Sequence, residues 1–164
     1  MKTSIHRYVS IVFVLAIAVT LTQCSHTEEL QKNAKFSKTG EDESHNFMQD
    51  CMRCHNDNGN EAAGFGGGWW NIAGSVLDDD GEGHAKRGHI ELWSGPDRTG
   101  TKYLDLDIDD EGNFYTGRIV DYNGSCYPVL VNENGNYVAM SSPFTGGGCN
   151  GCHNDDTTSK LQLP

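Results

Sequence analysis

Two pentapeptides carry the chemistry of this chain: Cys51-Met52-Arg53-Cys54-His55 near its front and Cys149-Asn150-Gly151-Cys152-His153 near its end. Each spells C-x-x-C-H, the attachment signature of a covalently bound c-type haem. The spacing has a chemical reason. Two intervening residues set both thiols on one helical turn, where they add to the two vinyl groups of one porphyrin, while the next imidazole reaches the iron from beneath. The sequence therefore predicts two covalent c-type haems, held by Cys51, Cys54, Cys149 and Cys152 with His55 and His153 as proximal iron ligands. Plainer chemistries use the same thiols: a pair of disulfides, a dithiol redox couple, or one zinc ion held by four thiolates. None of these needs a histidine directly after each second cysteine, and with 6 Cys and 7 His in the chain a double coincidence would be rare.

The sixth ligand of each iron decides whether the site carries electrons or offers an open face to a small molecule. The distal candidates are His45, Met140 and His89. His45 closely precedes the first motif, and Met140 precedes the second by nine positions, where a thioether would raise that haem's potential relative to bis-His ligation. His89 opens an apolar strand pattern and is held in reserve, and His84 sits in a Gly- and Glu-rich loop. Met48 and Met52 lie too near the attachment cysteines to wrap round the far face and read as packing.

The elements that must position these residues begin with an export signal. Lys2 and Arg7 are followed by an apolar run from Val9 to Leu21 and then Leu21-Thr22-Gln23-Cys24. This reads as a lipoprotein-type signal over residues 1–23, with Cys24 as the lipidated residue, although Gln23 stands where Gly, Ala or Ser is usual. The run is short for a spanning helix, and the residues after it are polar. Residues 24–44 lack an apolar period and read as a flexible tether, and the folded domain is expected over 45–164. With Cys24 lipidated and four cysteines on haem, Cys126 remains, most simply a buried small hydrophobe. The formal net charge of −11 argues against nucleic acid and favours a basic docking partner.

Between the motifs the chain reads as mainly β: a small antiparallel sandwich over about 70–141, with short helical or loop segments carrying the motifs at its two ends. The 20 glycines and turn signals such as Glu111-Gly112-Asn113 and Asn134-Gly135 separate short apolar runs. Strands are predicted at Ile72 to Leu77, His89 to Trp93, Tyr103 to Ile108, Phe114 to Val120, Tyr127 to Val131 and Asn136 to Met140. Strict alternation puts Leu104, Leu106 and Ile108 on one face with Asp105 and Asp107 on the other. The acidic run Asp105 to Glu111 begins like a calcium loop but has Arg118 at its twelfth position, so it reads as a solvated strand face and turn. Trp69 and Trp70, behind the glycines at 64 and 66–68, would cover porphyrin or core.

In His45-Asn46, Ala73-Gly74-Ser75-Val76, Asp110-Glu111-Gly112-Asn113-Phe114-Tyr115 and Met140 ahead of Gly148-Cys149-Asn150-Gly151-Cys152-His153, the chain resembles the small exported bacterial multihaem c-type cytochromes. In these, a sandwich like the carboxypeptidase regulatory domain is bracketed by haem sites. The resemblance covers about residues 45 to 164. It implies an electron carrier tethered in the bacterial cell envelope, with His45 and Met140 at positions matching the family's ligand pattern and redox proteins as partners. The alternatives are a haem enzyme or gas sensor with one open iron, and a zinc-stapled sandwich that binds other proteins.

Overall fold

Six strands form, each where an alternating or apolar run predicts one: β1 Ile72–Ser75, β2 His89–Gly95, β3 Thr99–Asp107, β4 Asn113–Thr116, β5 Tyr127–Val131 and β6 Tyr137–Ala139. The computed structural model describes residues 34–42, 44–55, 69–122, 125–154 and 159–164. Cys24, the signal and most of the expected tether lie outside the described residues. The strands make two antiparallel sheets, one of β1 and β4 and one in the order β3-β2-β5-β6. The fold is thus mainly β, and among the described residues the helical structure comprises single 3-10 turns at Cys51–Arg53 and Cys149–Gly151.

The register follows from the side-chain pattern. Ile90 pairs with Leu106 and Leu92 with Leu104 across β2 and β3, and Ile90 pairs with Leu130 across β2 and β5. These side chains meet Ile72, Val76, Ile108 and Phe114 in one buried cluster that also holds Cys126. Each such burial is worth roughly 1.5–3 kcal/mol. The turn between β2 and β3 is left-handed at both Asp97 (φ 51°) and Arg98 (φ 61°), closed by the Thr99 amide donating to the Pro96 carbonyl at 3.1 Å. That primed geometry matches the twist of the two strands. Asn132-Glu133-Asn134-Gly135 closes the β5–β6 hairpin, with the Asn132 side chain accepting from the amides of Asn134 and Asn136, each at 3.0 Å.

Three expectations need correction. The tether does not run to residue 44, because the unit that holds the sheets begins at Lys35. The Ser37 amide donates to the Tyr115 carbonyl at 2.9 Å, and Lys35 accepts from the Gly117 amide at 2.9 Å. The free edge of β4 offers unpaired backbone groups, and a polar segment satisfies them without any apolar period. The strand expected from Phe114 to Val120 ends at Thr116. Asp109 is not part of a solvated face: it is fully buried, its carboxylate accepting from the amides of Asn113 at 2.9 Å and Glu111 at 3.1 Å. Burial raises its pKa above the ordinary carboxylate value, against the pull of those hydrogen bonds.

On the outer face of β2, Glu91 stands directly opposite Asp105, an unfavourable like-charge pair. Cations offset it. Glu91, with its side chain 4% exposed, accepts from Arg98 Nε at 2.6 Å, Trp93 Nε1 at 2.8 Å and Lys102 Nζ at 3.2 Å. The Arg98 hydrogen bond leads in pulling its pKa down to about 2, against the opposing effect of burial. A depressed carboxylate adds stability above its unfolded pKa of about 4.5 and loses it as pH falls toward about 2. In urea unfolding, Glu91→Gln should lower stability by about 2 kcal/mol at pH 7, and the gap from wild type should close by about pH 2.

Candidate functional site

Both C-x-x-C-H segments fold into the same turn, although about a hundred residues separate them. In the first, the Cys51 carbonyl accepts from the amides of Cys54 at 3.2 Å and His55 at 3.0 Å; in the second, Cys149 accepts from Cys152 at 3.2 Å and His153 at 2.8 Å. The backbone angles of the closing cysteines nearly coincide, φ −108°, ψ −33° at Cys54 and φ −109°, ψ −40° at Cys152. Asp50 caps the first turn by accepting from the Met52 amide at 3.2 Å, whereas Gly148 opens the second with no side-chain cap.

The turns pack against each other and against β1. A Cβ placed on Gly148 would lie 2.8 Å from Met52 Cγ and 3.0 Å from Asp50 Oδ1. One placed on Gly74 would lie 2.6 Å from the Phe114 ring and 2.9 Å from Cys149 Cβ. Only glycine allows these approaches without a shift. A buried polar network then fixes both turns to the sheet. Ser75 donates its amide to Asn150 Oδ1 at 2.7 Å and its hydroxyl to Asn113 Oδ1 at 2.6 Å, and its Oγ accepts from the Met48 amide at 2.9 Å. Asn113 Nδ2 donates to Ser44 Oγ at 2.8 Å. The loop between carries two non-glycine residues in left-handed backbone, Asn46 (φ 58°) and Met48 (φ 62°). Such residues cost about 1–2 kcal/mol each and persist only where the surroundings hold them.

Each turn opens onto its own cavity. The first encloses about 740 Å³ of free space, open mouth included, and is lined by Cys51, Cys54 and His55 together with His45, Trp70 and Phe114. Here the rings of His45 and His55 stand 6.0 Å apart between centroids, while His55 stacks on Trp70 at 4.9 Å and Trp70 meets Tyr115 at 4.6 Å. Trp70 is buried, whereas Trp69 is 39% exposed. The second cavity encloses about 720 Å³ and is lined by Cys149, Cys152, His153, Met140, Phe144 and again Phe114. His153 Nδ1 lies 2.9 Å from the Ser159 carbonyl. Since a carbonyl only accepts, Nδ1 carries the proton and the ring's lone pair is on Nε2.

The predicted residues sort accordingly. His45 joins the first cysteine pair in one cavity, and Met140 joins the second. His89 joins neither and is corrected as a distal ligand: alternation along β2 sends Ile90 to the second cavity and leaves His89 on the opposite face. There His89 Nε2 lies 3.5 Å from Glu91 Oε1 and 3.8 Å from Asp105 Oδ1. These are metal-ligating types with ligand atoms within 4.8 Å of one another, a group that spacing along the chain does not reveal because the third member comes from β3. A cation entering it would displace Lys102 from Glu91 and meet Arg98 alongside. His84 packs its ring on Phe47 at 3.8 Å.

All five described cysteines are free, and their sulfurs form no cluster of three or more ligands among the described residues. Burial pushes the Cys51 thiol up to about 11 and the Cys149 thiol up to about 12, so both are protonated and poor nucleophiles at neutral pH. Cys126 is buried, with burial raising its thiol to about 11, and its backbone bridges to Phe144.

The chain matches no protein-family model, no curated protein and no solved structure. No helix among the described residues is long and apolar enough to cross a membrane. Gly74→Ala should drive a methyl into Phe114 and the Cys149 side chain and cost about 1–3 kcal/mol in urea unfolding, whereas Gly146→Ala, whose added Cβ meets only the Phe144 ring at 3.7 Å and whose backbone is not left-handed, should cost less than half as much.

Proposed function

We propose that this chain is a membrane-tethered dihaem c-type cytochrome that relays electrons between redox partners in the cell envelope. The observation that carries the reading is the pairing, in each of two cavities, of one C-x-x-C-H turn with a second axial-type side chain. The His45 and His55 rings stand 6.0 Å apart between centroids in one cavity, so both would be at hand to ligate one bound iron. Haem, when bound, supplies one reversible electron per iron.

The chain's own residues do the rest. Cys51 and Cys54, and Cys149 and Cys152, anchor a porphyrin at each turn, and His55 and His153 ligate from the turn side. His45 and Met140 close the far faces. Trp70 shields the first site from water by stacking on His55, and the Ser159 carbonyl holds His153 in its ligating tautomer. Because the turns touch and Phe114 lines both cavities, the two sites are neighbours, as a relay requires. The chain's resemblance to exported multihaem cytochromes and its signal-like leader support a location in the bacterial envelope, with lipid on Cys24 as the membrane tether. A formal net charge of −11 suits a basic redox partner.

Expression with a cytochrome maturation system should give a polypeptide mass increased by two porphyrins and haem staining that survives denaturing electrophoresis. An unmodified mass would overturn the reading. Ferrous wild-type protein should bind almost no carbon monoxide, and His45→Ala or Met140→Ala should each open one iron to it. Ready binding by the wild type would point instead to an enzyme or gas sensor with one open face. Cys24→Ser should move the protein from the membrane to the soluble fraction, and a wild type that is already soluble and incorporates no labelled fatty acid would refute the tether.

A further inference from the structure

We propose that the two sites are ordered in redox potential, the His45–His55 site lower and the Met140–His153 site higher, so that a single electron shared between them rests at the second. This rests on the dihaem reading and adds a direction to it. Two independent features of the chain point the same way. The first is the lining. Around the first site stand Lys35, Ser44, Asn46, Gln49, Asp50 and Asn113. Around the second stand Ile90, Leu130, Val138, Phe144 and Leu161. With neutral axial ligands, the oxidised state carries one more positive charge than the reduced state. Polar and anionic groups such as the Asp50 carboxylate stabilise that charge, and an apolar wall penalises it. The second site therefore favours its reduced state.

The second feature is the ligand. The Met140 thioether is a softer and weaker donor than the His45 imidazole and favours the reduced iron, raising the potential. The Ser159 carbonyl works against this by making His153 a stronger donor, but a neutral carbonyl does so less than a carboxylate would. Lys35 at the first site likewise opposes Asp50, yet it leaves the surrounding amide and hydroxyl dipoles in place. Transfer within the chain oxidises the first iron by one electron and reduces the second by one. No bond forms or breaks and no proton moves. A one-electron donor protein is then oxidised at the polar site, and a one-electron acceptor protein is reduced at the apolar one.

Spectroelectrochemical titration of the matured full-length protein tests the order. Wild type should show two one-electron steps whose equilibrium favours the second site at least tenfold, a separation of about 59 mV or more for a one-electron couple. The oxidised protein should also show the thioether-to-iron charge-transfer absorption. Met140→His should abolish that absorption and move the upper step down by at least tenfold, with the lower step unchanged. Met140→Leu, which keeps the apolar wall, should open the upper-potential iron alone to carbon monoxide. Two porphyrins by mass with unresolved steps, or a Met140→His change that moves the lower step, would overturn the order and leave the dihaem reading standing. An unmodified mass would remove both.

Discussion

Ser75 is the point on which the arrangement of the two turns depends. It is fully buried on β1, yet its amide and hydroxyl are fully used: its amide reaches the second turn, its hydroxyl reaches β4, and its hydroxyl oxygen receives the loop that leads to the first turn. A buried donor or acceptor left without its partner costs about 1–3 kcal/mol, so this junction admits few rearrangements. Segments distant in sequence are thereby held in one place by three hydrogen bonds on a single short residue. The two glycines at 74 and 148 are the steric counterpart of the same constraint, since the hydrogen bonds form only if the turns approach this closely.

The sandwich supplies more than support. Its inner layer contributes Phe114, Ile90 and Leu130 to the walls of the second cavity, while the start of β4 and the segment from Lys35 give the first cavity its polar side. The motifs have the same backbone geometry, and what distinguishes them is what the sheets set opposite. A mixed polar and apolar surround on one side and an almost wholly apolar one on the other is a property of tertiary structure, absent from either pentapeptide by itself.

Much of this was legible in the chain. Strict alternation in Leu104, Leu106 and Ile108 located the buried face of β3, and Asn134-Gly135 marked the last hairpin, because side-chain period and turn chemistry are local. The tight turn at each C-x-x-C-H motif was legible for the same reason. What local pattern does not carry is which distant segments meet. Nothing near Ser37 announces that it docks on β4, since that contact is made by its backbone amide and one small hydroxyl. Asp109 lies within an acidic run and reads as solvated, and only the turn that buries it beneath Asn113 reverses this. His89 has the right chemistry for a ligand, but its position in the alternation of β2 sends it to the outer face. His45 and Met140 were nameable as candidates from proximity alone, and the cavities show which neighbours each one keeps.

Phe114 forms part of the wall of both cavities and has no exposed surface of its own. The two chambers therefore compete for one partition. Neither chamber's volume can be altered independently at this position, so any sequence change accommodated here must suit a mixed polar and apolar environment and an almost wholly apolar one at once.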